Sequence, residues 1–176
     1  ELVGVQVDES TLPATSVETI FSTEEQALGS SSLLVDGQFE ASEAAADVVL
    51  AMLEAGDGAS LTGCEISESD CVDAFIDDFG TKAFRRPVDA DEHSRLRALY
   101  DEIASSEGEN SALATLVQAM ILSPRFGFHV EQRTDSGSID SWSIASRLSF
   151  FLWSSSPDDA LMTAAQEDSL SDPDVR

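Results

Sequence analysis

Ser67-Glu-Ser-Asp-Cys-Val-Asp-Ala-Phe-Ile-Asp-Asp-Phe-Gly-Thr-Lys-Ala-Phe-Arg-Arg-Pro87 places Val72, Phe75, Ile76, Phe79 and Ala83 three and four positions apart. That spacing is one stripe of an α-helix, and the stripe must be buried. Ser67 to Asp70 supply N-cap candidates. Arg85 and Arg86 are expected in the last turn, where cations complement the helix dipole, and Pro87 prevents continuation.

Working outward, Asp89-Ala-Asp-Glu92 has the form of a capping box and predicts a second helix with Leu96, Leu99, Tyr100 and Ile103 inward. Gly108 and Asn110 separate it from a third, carrying Leu113, Leu116, Val117, Met120 and Ile121 and stopped at Ser123-Pro124. Three such segments with short loops predict an antiparallel bundle. Upstream, Phe39 to Leu53 favours a helix ended by Gly56 and Gly58, with a short linker to Cys64. Residues 1–32, with scattered Leu12, Ile20, Phe21 and Leu28, read as an irregular wrap. Phe126-Gly-Phe-His-Val130 is either extended or one loose helical turn.

Thr134-Asp-Ser-Gly-Ser138 is a polar break. Beyond it Asp140 or Ser141 caps a helix through Trp153, and Ser156-Pro157-Asp158-Asp159 opens another with Leu161, Met162 and Ala165. The fold class expected is all-α. Residues 1–60 would be the tail of a preceding module with a wrap and one helix, 61–133 a helical bundle, and 134–176 the first helices of a second helical module. Asp172-Pro173 reads as the start of a further helix, and with no Met or signal pattern at Glu1 the chain is expected to be a fragment of a longer protein.

Composition narrows the partners. The 176 residues are 42% hydrophobic, enough for one substantial core or two small ones. Thirty-four acids against nine bases give a net charge of -25. Such a surface repels phosphate backbones and anionic lipid, so nucleic acid is not an expected partner. No apolar run approaches the roughly 20 residues of a bilayer span, so membrane insertion is not expected either. No stretch has the alternating acids and central Gly of a helix-loop-helix calcium site, and the acidity reads as a solvated coat.

Three motifs carry a family likeness: Lys82-Ala-Phe-Arg-Arg-Pro87, Leu122-Ser-Pro-Arg-Phe126 and Ala145-Ser-Arg-Leu-Ser-Phe-Phe-Leu-Trp-Ser-Ser-Ser-Pro-Asp-Asp159. The chain resembles large secreted proteins of planctomycetes and myxobacteria in which domains of unknown function accompany c-type cytochrome modules. From about Cys64 to Glu131 it is similar to domain of unknown function fifteen-ninety-five. From Ile139 to Arg176 it resembles the beginning of domain fifteen-ninety-two, and Glu1-Leu-Val-Gly4 resembles the tail of a preceding module. The likeness implies haem c in the full-length parent, attached at a later Cys-x-x-Cys-His motif. Cys64 and Cys71, with six residues between them and no His following, do not form that motif, so no cofactor is expected in this chain. Gly127, Phe128 and His129 depart from the Leu and aromatic residue that the family tends to place there.

Individual residues admit competing readings. Cys64 and Cys71 read as a disulfide of an oxidising compartment, contributing about 2 to 3 kcal/mol for so short a loop; a metal pair lacking two further ligands and free thiols are the alternatives. His93 and His129 read as surface or partly buried side chains rather than zinc ligands. No Ser stands in a nucleophile motif, and the serines are expected at caps. Asp77-Asp78 and Asp158-Asp159 are too ordinary in so acidic a chain to assign acid and base roles.

Arg85, Arg86, Arg125 and Arg147 lie inside aromatic motifs in a chain poor in bases. One reading is an anion-binding cluster for a haem propionate or an acidic glycan. The favoured one is structural: fork-shaped ion pairs, with guanidinium planes on aromatic rings and at least one of Arg85, Arg86 or Arg147 pairing with Asp158 or Asp159. Phe84, Phe126, Trp142, Phe150, Phe151 and Trp153 are expected to pack in the core or between modules; sugar stacking is the alternative. The functional expectation is a non-catalytic structural or interaction module, without a catalytic constellation of its own, positioning a haem-c-bearing module of the same secreted, periplasmic or surface protein. A fragment of a haem-dependent oxidoreductase and a polysaccharide-binding module are the competing readings.

Overall fold

The computed structural model describes residues 32–68, 70–128, 130–134 and 137–171. Among these the secondary structure is helical, with one isolated bridge between Arg133 and Ile139. The expected wrap before residue 32, His129, and Asp172-Pro173 lie outside the described residues.

The first unit is built on α1 (Ser32–Glu54), α2 (Gly58–Thr62), α3 (Cys71–Phe84), α4 (Ala90–Glu107) and α5 (Glu109–Leu122). Helix α5 is its centre. Leu113, Leu116, Val117 and Met120 are wholly buried there, each worth about 1.5–3 kcal/mol relative to exposure. The α3 stripe of Val72, Phe75, Ile76, Phe79 and Ala83 is buried as its spacing requires, and Phe75 and Phe79 stack with centroids 5.1 Å apart. Ala45, Val49 and Leu53 of α1 belong to the same core. The helix N-terminal to residue 60 is therefore packed into the bundle it precedes. It also starts at Ser32, earlier than Phe39, and Gln38 donates to the Ile121 carbonyl at 2.8 Å, tying α1 to the end of α5.

The short linker before Cys64 contains α2. The Cys64–Cys71 disulfide then fastens it to the first turn of α3. Asp89 and Glu92 close the expected capping box on α4. Gly108, at φ 93°, is the only residue between α4 and α5, and Asn110 lies inside α5 instead of in the loop. After Ser123, Pro124 opens a single turn, α6 (Pro124–Gly127), and Phe128 is extended.

Arg85, like Arg86, lies outside the last turn of α3, which ends at Phe84. It is the residue after the helix and adopts a left-handed conformation, φ 59° and ψ 25°, uncommon for a side chain of this size. Its favourable interaction with helix carbonyls survives by another route, through the side chain, as described below.

The second unit comprises α7 (Ser141–Trp153), α8 (Asp159–Gln166) and a closing 3-10 turn, Ser169–Ser171. Asp140 caps α7 and Asp158 caps α8, each accepting from the backbone N–H three residues on. Pro157 precedes the cap. A small cluster around Ala145, Ala165 and Leu170 forms the core. The serines of α7 do not keep to caps: Ser141, Ser143, Ser146 and Ser149 are buried. Their small size permits close packing, and hydrogen bonds hold most of them. Ser141 donates to Asp168 at 2.5 Å, Ser143 accepts from the Gln132 N–H at 2.8 Å, and Ser149 donates to the Ser155 carbonyl at 2.8 Å.

Candidate functional site

The residues singled out from sequence converge where the bundle meets α7. Phe84, Arg85 and Arg86 come from the end of α3, Arg125 and Phe126 from α6, and Trp142 and Phe150 from α7.

Arg85 is 7% exposed. Its guanidinium donates to the carbonyls of Ala83, Arg125, Phe126 and Phe128, at 3.0 to 3.4 Å. Most of these oxygens belong to the α6 turn or its end, where carbonyls lack helical partners and carry partial negative charge. Across the junction, Phe150 of α7 lies under the guanidinium, 5.7 Å from ring centroid to Cζ. Among the described residues Arg85 makes no ion pair. Burial accordingly pulls its pKa below the ordinary arginine value, though Arg stays charged.

Arg86 pairs with Glu92 through two parallel bonds, Nη1 to Oε2 at 2.9 Å and Nη2 to Oε1 at 2.7 Å. Arg125 Nε lies 3.3 Å from the same carboxylate. Glu92 also accepts from the Asp89 N–H at 3.1 Å, its half of the capping box. Hydrogen bonding to Arg86, then to the Asp89 backbone, with the Arg86 and Arg125 charges, outweighs burial and holds the Glu92 carboxyl at about 2, below its usual 4.5. The Arg86 guanidinium lies 6.0 Å from the centroid of Phe84.

The fork-shaped pairing and ring contacts expected of the arginines are present, but the carboxylate partners differ. Neither Asp158 nor Asp159 pairs with Arg85, Arg86 or Arg147 among the described residues. Asp158 is the α8 cap, and Arg147, largely exposed, lies 3.5 Å from Glu131. An exposed pair of that kind contributes little. Glu92 is the residue sequence reasoning missed in this role. Its capping-box position was legible, and its separation of six residues from Arg86 across Pro87 was the available signal.

The aromatic residues divide. Phe84 is buried, Phe126, Trp142 and Phe150 are half-buried, and Phe151 and Trp153 are 73% and 67% exposed. The last two therefore take no part in the core of the described residues. His93 Nε2 lies 3.7 Å from both Asp73 and Asp77, on the outer side of α3 and α4. No helix of the described residues is long and apolar enough to cross a membrane.

Two helical units, joined through a buried arginine and an aromatic ring, define the class of protein. Residues 71–131 match the family model described as Protein of unknown function (DUF1595), and residues 139–176 match the one described as Protein of unknown function (DUF1592). The two matched segments follow one another along the chain, with the polar break at Thr134–Ser138 between them. No curated protein and no solved structure matches it.

Proposed function

We propose that the chain is a non-catalytic structural and interaction module of a secreted or surface multidomain protein, and that it positions a haem-c-bearing module lying outside it. The observation that carries this reading is the engagement of Arg85, whose donors go to the carbonyls of the bundle while its face receives Phe150 from the second unit. Arg86 is likewise tied to Glu92. A buried guanidinium held in this way fixes the angle between two elements, which is what a positioning module requires. The disulfide supports the oxidising compartment of the proposal.

The experiment is a redox titration of the intact parent, with and without Arg85→Met. A positioning module predicts covalent haem in the parent, an unchanged midpoint potential in the variant, and slower electron exchange with its partner. A shifted potential would favour the oxidoreductase reading, in which this region lines the haem. A parent without covalent haem would refute both.

A further inference from the structure

The junction encloses a recess in which Ser146 stands out. It is 3% exposed, it lines the recess, and its hydroxyl makes no hydrogen bond among the described residues. No fully enclosed side-chain polar atom of the described residues lacks a partner, so this hydroxyl faces the recess and not the interior. A buried hydroxyl donor of this kind is ordinarily satisfied, and here its remaining capacity points into the opening.

Arg125 stands at the same opening. Its side chain is 41% exposed and its Nε is 3.3 Å from Glu92, yet its guanidinium donates no hydrogen bond among the described residues. Arg85 and Arg86 form more of the wall, and Asp140 is the acidic member. Asp140 is engaged as the α7 cap, accepting from the Ser143 N–H at 2.7 Å. Glu92 is shared by Arg86 and Arg125, and among the described residues the charge of Arg85 is met by carbonyl dipoles and the Phe150 ring, with no carboxylate beside it. A cationic recess with unfilled donors is thus maintained in a chain of net charge -25.

The remaining walls are apolar. Phe128 and Val130 are 48% and 54% exposed, and Trp142 lies alongside. The recess is small, with a cavity volume of about 20 Å³. That volume suits a head group of two or three atoms, with any larger part of a ligand lying outside over the apolar rim.

We propose that this recess binds the carboxylate head of a small aliphatic acid, with Arg125 and Ser146 donating to the carboxylate and the alkyl chain against Phe128, Val130 and Trp142. Planar guanidinium donors match a carboxylate. A dianion is disfavoured by Asp140 and by the acidic field of the whole chain. This site adds a ligand at the joint of the two units; it does not depend on what the parent protein does.

The test is a titration of the full ¹⁵N-labelled chain with sodium butyrate at constant ionic strength, followed by the Trp142 indole and Ser146 amide resonances. Saturable shifts at both are expected, with acetate binding at least threefold more weakly because it lacks the alkyl contact. Arg125→Ala is expected to weaken butyrate at least fivefold. Ser146→Ala removes a hydroxyl that holds no internal bond, so it keeps the fold and is expected to weaken butyrate at least twofold. Linear shifts, equal shifts from chloride, or wild-type affinity in a folded Arg125→Ala would overturn the proposal. Should Arg125→Ala unfold, unchanged affinity in Ser146→Ala overturns it alone.

Discussion

Arg86 and Glu92 face each other fork to fork across the Pro87 turn, joined by bonds of 2.9 and 2.7 Å, with the Glu92 side chain only 8% exposed. The pair closes the α3–α4 connection and gives Arg125 of α6 a countercharge as well. Removing one partner leaves the other cations half-buried without it. Glu92→Gln is therefore expected to cost on the order of 2 to 4 kcal/mol, measured by urea unfolding at neutral pH.

The same carboxylate gives a pH dependence of known sign. Its folded-state pKa lies below the ordinary 4.5, at about 2, so its contribution is present above 4.5 and is lost as pH falls toward 2. The stability difference between wild type and Glu92→Gln should shrink steadily through that interval. A difference that stays constant from pH 5 to pH 2 would show that the charge is not what stabilises the turn.

Arg85→Lys tests the carbonyl clamp. An ammonium offers three donors from one point, whereas the guanidinium reaches the carbonyls of Arg125, Phe126 and Phe128, within and just after α6, from two separate nitrogens. A loss of about 1.5 to 3 kcal/mol is expected, with faster hydrogen exchange confined first to α6 and α7. Arg85→Gly provides the control for the backbone. It relieves the left-handed conformation at φ 59° but removes every donor, so it too should be less stable than wild type.

The helical periodicity of α3 and α5 was legible because their stripes are buried in one core, and the α4 and α7 starts because Asp89 and Asp140 are caps that act within three residues. Burial of that kind and capping are local in sequence. The Glu92 hub was not legible, since pairing it with Arg86 requires the direction in which the chain leaves Pro87, and with Arg125 requires the α6 turn to fold back on α3. The buried serines of α7 were hidden for a different reason: Ser favours caps as an isolated residue, and only partners outside the helix, Asp168 for Ser141, Gln132 for Ser143 and Ser155 for Ser149, give them a satisfied buried place.

Phe150 and Phe151 are adjacent in sequence and should respond in opposite ways. Phe150 meets Arg85 across the junction, whereas Phe151 is 73% exposed. Phe150→Ala is expected to cost about 1 to 2 kcal/mol and to loosen α7 from the bundle. Phe151→Ser should change stability by less than about 0.5 kcal/mol. Thermal melts of the two variants, run side by side, check both expectations, and equal losses would contradict the assigned faces.

Reduction of Cys64–Cys71 should lower stability by about 2 to 3 kcal/mol, because the closed loop, with a sequence separation of 7, confines the unfolded chain only modestly. The effect should appear equally in the Cys64→Ser, Cys71→Ser double variant without reductant. Melts of the wild type with reductant and of the variant without it are then expected to coincide, and the variant should be insensitive to reductant.

Gly80 lies buried in the middle of α3, where Ala would ordinarily gain about 1 kcal/mol of helix propensity. A Cβ at this position would collide with Cγ2 of Val88, the residue that follows the Pro87 turn. Valine is stiff about χ1, and Val88 is packed against the bundle core, so it has little room to withdraw. Gly80→Ala is therefore expected to destabilise by about 1 to 2 kcal/mol despite its better propensity. Adding Val88→Ala makes space for the new methyl at the cost of some packing. A double-mutant cycle should give a favourable coupling of at least about 1 kcal/mol between the two substitutions. Simple additivity would mean that α3 and the Pro87 turn are not in the close contact that brings Arg86 onto Glu92.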